Sequence, residues 1–284
     1  MLTLTVEDLK KSYGHFQLNV SFQVEEGRVT GFLGRNGSGK STSFKAILNL
    51  IRPDSGKISL FGRDAGQLTE EDKEKLGVVF SDSGFSRMLR PIDLPPILRV
   101  AYPGFDEPMF RSYIDKHQLP WKKKFEDFST GMSVKIKIIT AISHRARFLI
   151  LDEPTAGLDV VARNELIDLL RDYMDQDERN SILISSHISS DLEGLCDDFY
   201  LIDQGKIIMH EYMDVLLGQY GILKIRTEDF DEVDQEQIPY KVKEAYGYRC
   251  LTKQRQFYLD NYPKMVVEKA NIDELISLAT GGRK

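Results

Sequence analysis

A chain of 284 residues, 41% hydrophobic and 29% charged, has the make-up of a globular protein with room for one large domain and a small appendage. The net charge of −6 argues against nucleic-acid binding driven by overall charge. Cys196 and Cys250 lack metal-ligand spacing and read as reduced thiols, the first residues carry no basic and apolar leader, and no apolar run reaches the length of a membrane span.

The chain opens with two alternating segments, Leu2, Leu4, Val6 and Val20, Phe22, Val24, which predict half-buried strands joined by a loop that holds Tyr13. Val29 to Leu33 is a short apolar run that predicts a buried strand. It enters Gly34-Arg35-Asn36-Gly37-Ser38-Gly39-Lys40-Ser41-Thr42, which fits the phosphate-binding pattern Gly-x-x-x-x-Gly-Lys-Ser/Thr. Glycines let the backbone curl so that successive N–H groups face an anion. Lys40 brings a mobile positive charge to the β- and γ-phosphates, and Ser41 a hydroxyl for Mg²⁺. Phe44, Ile47, Leu48 and Ile51 then recur at helical spacing, so a helix N-terminus points at the phosphates.

Ile58 and Leu60 predict a further short strand and, with the first two, a small antiparallel sheet. Leu76 to Phe80 predicts the next buried strand. From about residue 83 prolines break the chain into short segments carrying Met88, Leu89, Phe110, Tyr113 and Trp121, which reads as a mainly helical insertion over about 83–135. Buried-strand patterns return at Phe148 to Leu151, which ends in Asp152-Glu153, and at Ile182 to Ile184, which leads to Ser185-Ser-His187. Between them Leu166, Ile167, Leu170 and Tyr173 mark a helix. Alternating strands and helices predict a mainly parallel sheet covered on both faces, with ligands at the strand ends. Phe199 to Ile202 and Lys206 to Met209 predict a hairpin. The charge-rich remainder, 214–284, reads as a separate accessory domain with strand-like patches and a last helix starting at Asn271 and Glu274.

The Asp152-Glu153 pair has a chemical logic beside a phosphate loop. One carboxylate at a strand end holds hydrated Mg²⁺, and a second orients and deprotonates the attacking water. Phe128-Ser-Thr-Gly-Met132 resembles the Leu-Ser-Gly-Gly-Gln signature of ABC-type ATPases, Pro154-Thr-Ala-Gly-Leu-Asp159 the family's D-loop, and Ser186-His187 its switch histidine. Tyr13 stands where that family places an aromatic residue against adenine. The motifs follow the family's order over residues 1 to about 210.

This resemblance implies a P-loop α/β core with a mainly parallel sheet, a small antiparallel β subdomain, a helical insertion and a small C-terminal α/β accessory region. It implies a dimer of this chain with itself or with a paralogue, in which ATP and Mg²⁺ on Gly34 to Thr42 of one chain are covered by Ser129 and Gly131 of the other. Glu153 is then the general base, Asp152 the magnesium carboxylate, His187 the holder of γ-phosphate and water, and Asp159 an interface residue. Further details, Phe-Ser-Thr-Gly-Met-Ser and Ser-Ser-His-Ile-Ser-Ser-Asp-Leu-Glu among them, resemble a bacterial branch whose ATPase works on a separately encoded permease. Such pairs often export antibiotics or amphipathic peptides. The expected place is the cytoplasmic face of the plasma membrane, bound through the permease and without nucleic acid.

Two departures stand out. Thr130 and Met132 replace the second glycine and the glutamine of the signature. After the strand Leu76 to Phe80 the family carries a glutamine, where this chain reads Ser81-Asp82-Ser83; either Asp82 is the substitute toward Mg²⁺, or Ser81 and Asp82 are solvated turn residues and Phe85 to Leu89 take over the coupling. The alternatives are a soluble ABC-type ATPase acting on a macromolecular complex, and a P-loop phosphotransferase. The second leaves the signature and the D-loop unexplained.

Overall fold

The computed structural model describes residues 1–81, 83–186 and 192–281; Asp82 and His187 lie outside the described residues. The first half runs β1 (Leu2–Tyr13), β2 (Phe16–Glu25), β3 (Val29–Leu33), α1 (Lys40–Ile47), β4 (Ser55–Leu60), β5 (Arg63–Asp64), α2 (Glu70–Glu74), β6 (Leu76–Val79), α3 (Leu94–Ala101), α4 (Glu107–Lys116) and α5 (Thr130–Ser143). It continues through β7 (Phe148–Asp152), α6 (Val160–Met174), β8 (Ser181–Ser186), β9 (Asp198–Asp203), β10 (Lys206–Tyr212) and α7 (Met213–Gln219). The chain closes with β11 (Gly221–Arg226), β12 (Tyr240–Glu244), β13 (Gly247–Thr252), α8 (Arg255–Asn261), β14 (Val266–Lys269) and α9 (Ile272–Gly281).

Ten strands form one sheet in the order β5–β4–β1–β2–β10–β9–β3–β8–β7–β6. The pairs β9/β3, β3/β8, β8/β7 and β7/β6 are parallel, whereas β1, β2, β4 and β5 pair antiparallel. The two halves meet where Lys206 of β10 pairs with Asn19 of β2. The central strands β3, β7, β8 and β9 are buried at every position, which is why they read as continuous rather than alternating apolar runs. Their side chains still alternate between faces. Leu149, Leu151, Ile182, Ile184, Phe199 and Leu201 enter the core against α5 and α6, while Phe148, Ile150, Leu183, Tyr200 and Ile202 enter the core that holds Phe44 and Ile47 of α1.

The strand β1 is longer than the alternation over Leu2 to Val6 predicts. Asp8 sits at φ 46° and the pairing with β2 shifts between Val6 and Leu9, so the inward positions Leu4, Val6 and Leu9 change spacing at a bulge. Tyr13 consequently ends a strand opposite Phe16 instead of lying in a loop. The expected insertion comprises α3, α4 and the start of α5, and α5 continues to Ser143 beyond its expected end.

The last part of the chain forms a four-stranded antiparallel sheet, β12–β13–β11–β14, with its own small core of Leu223, Ile225, Phe230, Val233, Cys250 and Tyr258. Its other apolar face is continuous with the large core through Met213, Leu216, Ile222, Leu251, Leu275 and Ala279. Two polar ties cross the junction. The Glu193 carboxylate accepts the first N–H of α9, from Ile272, at 2.8 Å. Glu211 of β10 accepts from the Tyr220 hydroxyl at 3.0 Å and the Lys253 ammonium at 2.7 Å. Cys196 and Cys250 are free and buried. Among the described residues no helix is long and apolar enough to cross a membrane.

Candidate active site

Parallel register brings the ends of β3, β7 and β8 level, with Leu33 opposite Ser186 and Asp152 opposite Ser185. The phosphate loop leaves β3 there. Gly34 and Gly39 have φ of 158° and 118°, and neither tolerates a side chain: a Cβ on Gly34 meets the Ile202 carbonyl oxygen at 2.3 Å, and one on Gly39 meets Leu18 and Phe16 at 2.9 and 3.0 Å. Gly39 is also the N-cap of α1, so the first turn of that helix faces the loop. The loop is braced from below where the Gly205 N–H donates to the Ser38 carbonyl at 2.8 Å.

Asn36, Gly37, Gly39, Lys40, Ser41 and Thr42 line a cleft of about 270 Å³ together with Phe16 and Glu153. Gly34 and Ser38 are buried beneath it, and Arg35 is exposed at the rim. Ser38 Oγ is buried with no hydrogen-bond partner among the described residues, a polar atom that a phosphate oxygen can satisfy. The Lys40 ammonium donates to the Gly34 carbonyl at 2.7 Å and lies 3.0 Å from Glu153 Oε1, with only 5% of its side chain exposed.

Behind Glu153 a second cleft of about 260 Å³ is shared by Asp152, Glu153, Ser81, Phe128, Thr130 and Lys137. It joins the two strand-end carboxylates to the stretch that lacks the family glutamine and to the first turn of α5. Asp152 is buried; its Oδ1 accepts the Ser185 hydroxyl at 2.7 Å, and the same hydroxyl accepts the Glu153 N–H at 2.9 Å. Glu153 has φ 51°, in the left-handed region.

The remaining described candidates, Ser129, Gly131, Asp159 and Tyr13, line neither cleft. Ser129 is the N-cap of α5 and accepts from the Met132 N–H at 3.2 Å; Asp159 is the N-cap of α6 and accepts from the Ala162 N–H at 2.8 Å. A Cβ on Gly131 would lie 3.0 Å from that of Ala162, so the small residue in the signature also lets α5 pack against α6 within one chain. Tyr13 is half exposed, with Lys11 Nζ 5.3 Å from its ring centroid, while its pairing partner Phe16 lines the phosphate cleft. Phe16, Lys137 and Ser185 were not singled out by sequence. Phe16 could have been found from its place across a two-residue turn from Tyr13; the other two carry no local signal.

A glycine cradle at the end of a parallel strand, a lysine buried within it and a carboxylate pair at the end of the next strand but one define a P-loop nucleotide hydrolase. The family model described as ABC transporter matches residues 18–156. Over 215 residues the chain is 32% identical to the lantibiotic transport ATP-binding protein SrtF of Streptococcus pyogenes, covering 74% of this chain and 91% of the relative. It is 28% identical to the ABC transporter ATP-binding protein YtrB of Bacillus subtilis (strain 168) over 94% of this chain and 93% of that one. A solved structure described as the ATP binding subunit of an ABC transporter superposes with a TM-score of 0.66 at 26% identity, over 75% of this chain and 91% of the other. The chain belongs to the ABC transporter family and is its ATP-binding, ATP-hydrolysing subunit. Such subunits dimerise and act with transmembrane permease components.

Proposed function

We propose that this chain hydrolyses ATP in a Mg²⁺-dependent dimer and thereby drives a separately encoded permease that exports an amphipathic, antibiotic-like peptide. The observation that carries the catalytic part is the convergence of Lys40, Ser41 and Glu153 on one cleft with Asp152 directly behind it. Loop N–H groups, the first turn of α1 and Lys40 bind the phosphates. Ser41 and Asp152 offer a hydroxyl and a carboxylate, the hard oxygen donors that Mg²⁺ takes, and among the described residues no three His, Cys, Asp or Glu side chains form a metal cage of their own. That donor set fits an ion that arrives with the nucleotide. Bound there, Mg²⁺ neutralises charge on the β- and γ-phosphate oxygens.

Glu153 accepts a proton from the attacking water, and His187 holds the water and γ-phosphate. The second chain closes the cleft with the Ser129 hydroxyl and Gly131 N–H, and Asp159 faces the interface. Loss of the γ-phosphate removes what joins the two surfaces, so they separate.

The export reading rests on the lantibiotic transport name of SrtF and on the signature details, which favour a permease over a soluble macromolecular complex. The division at 213/214 is supported by the relatives: SrtF matches along nearly its whole length while leaving about a quarter of this chain unmatched, whereas YtrB matches throughout. We place the dimer, of two copies or of this chain with a paralogue, at the cytoplasmic face of the plasma membrane, bound through the permease and without nucleic acid.

The test is ATPase activity of the chain purified with its permease, across dilution and across candidate peptides. Specific activity should fall on dilution of the isolated chain and rise with an exported peptide. Ser129→Arg should abolish it by bulk and charge, while Ser129→Ala, which removes both the helix cap and the hydroxyl offered to the γ-phosphate, should cost about 1 kcal/mol of stability and also lower activity. Dilution-independent turnover by a monomer overturns the dimer.

A further inference from the structure

Ser185 closes a small circuit beneath the reaction centre. The parallel register of β7 and β8 sets it directly opposite Asp152, and it has no exposed surface. Both halves of its hydroxyl are used: the proton is donated to Asp152 Oδ1 at 2.7 Å, and the oxygen accepts the Glu153 N–H at 2.9 Å. The first is a charge-assisted bond, stronger than one between neutral groups. The second holds a peptide whose residue sits at φ 51°, a conformation unfavourable for any side chain larger than hydrogen. One hydroxyl thus restrains the carboxylate of Asp152 and the backbone that carries the carboxylate of Glu153.

We infer that Ser185 is the positioning residue of the site, orienting Asp152 toward the nucleotide-bound cation and Glu153 toward the water through a single shared hydroxyl. The inference rests on the proposed roles of Asp152 and Glu153 and extends them to a residue that touches neither substrate nor metal. The outer partners of metal-binding side chains fix their orientation, and removing one weakens metal binding by about 10–100-fold. Replacing Ser185 with alanine leaves the Asp152 carboxylate without its donor and the Glu153 N–H without its acceptor, at a position that itself has no exposed surface. Among the described residues the Ser185 hydroxyl is bonded to Asp152 and Glu153 and not to the phosphate loop, so its loss should fall on the metal and the water before it falls on nucleotide binding without metal.

The experiment compares Ser185→Ala, Ser185→Cys and Ser185→Thr in the full chain. The readouts are Mn²⁺ affinity of the ATP-loaded protein by electron paramagnetic resonance, magnesium-free ATP affinity, kcat and KM. Ser185→Ala should weaken Mn²⁺ binding by about 10–100-fold and lower kcat, with magnesium-free ATP affinity and KM at saturating magnesium unchanged. Ser185→Cys, which fills the same space with a weak donor, should behave as alanine does and decides the matter if the alanine variant does not fold. Ser185→Thr keeps the hydroxyl and should restore both properties. Native Mn²⁺ affinity and kcat in the alanine or cysteine variant overturns the inference, as does a parallel loss of magnesium-free ATP binding. If the unmodified chain hydrolyses ATP in excess chelator, the assignment of Asp152 itself fails; a metal-dependent parent with an unaffected Ser185→Ala removes Ser185 alone.

Discussion

Lys40 Nζ lies 3.0 Å from Glu153 Oε1, and the two side chains are only 5% and 16% exposed. On their proposed roles, the cation that receives the γ-phosphate and the base that activates water are each other's counter-ion. An incoming phosphate competes with Glu153 for Lys40, so nucleotide binding frees the carboxylate next to the place where the water must be deprotonated. Glu153→Gln removes both the competitor and the base. It should bind ATP as well as the parent chain or more tightly and lose hydrolysis by ~10²–10⁴-fold, the usual contribution of a positioned base. Binding by equilibrium dialysis and single-turnover hydrolysis check it; near-parental turnover removes Glu153 from the role.

Phe16, not only Tyr13, is expected to matter for ATP affinity, because Phe16 lines the phosphate cleft. Stacking of a base on an aromatic ring contributes about 1–3 kcal/mol, so losing the ring that meets adenine weakens binding by roughly 5–150-fold. Phe16→Ala and Tyr13→Ala, measured side by side with a fluorescent ATP analogue, apportion the contact. If Phe16→Ala binds like the parent, the ring serves only to pack against Gly39.

Asp82 is expected to stand in for the absent glutamine, since its neighbour Ser81 opens into the cleft shared by Asp152 and Glu153. Asp82→Ala should raise the magnesium concentration for half-maximal ATPase activity and leave magnesium-free nucleotide binding intact. An unchanged magnesium requirement makes Asp82 a turn residue.

The junction between β10 and the C-terminal sheet should weaken in acid. Burial alone would raise the Glu211 carboxyl, but hydrogen bonds from Lys253 and Tyr220 outweigh it and hold the group below its ordinary 4.5. A carboxyl depressed in the folded state contributes stability above its unfolded value, and that contribution is lost as pH falls through the folded one. Glu211→Gln should therefore destabilise the chain at pH 7 by roughly 1–3 kcal/mol. It should also flatten the acid limb of a Tm–pH curve below about pH 4.5. A variant whose acid limb matches that of the parent shows that the triad does not hold the junction.

The strings that make up the candidate site stand out in the sequence because each is local. The loop from Gly34 to Thr42 declares itself by glycines that only a curled backbone needs, and the all-buried strand Phe148 to Asp152 by five residues whose burial leaves a carboxylate at its mouth. Helix α6 was equally plain, since Leu166, Ile167, Leu170 and Tyr173 share one buried stripe. Local pattern failed first at β1, where a bulge at Asp8 changes which positions face inward and hides the second half of the strand.

What only the tertiary structure decided is how separate strings meet. Ser185 matters because parallel register sets it beside a residue 33 positions earlier. Lys137 reaches the Asp152 cleft only because α5 packs across the sheet, and Phe16 reaches the loop only because its hairpin folds over Gly39. The accessory domain read as separate by composition, yet Glu193 caps α9 and Leu216, Ile222 and Leu275 fill the large core. A sequence carries the chemistry of each residue and the period of each element. Register between strands and the docking of one apolar face on another depend on the summed packing of the whole chain, which no single stretch records.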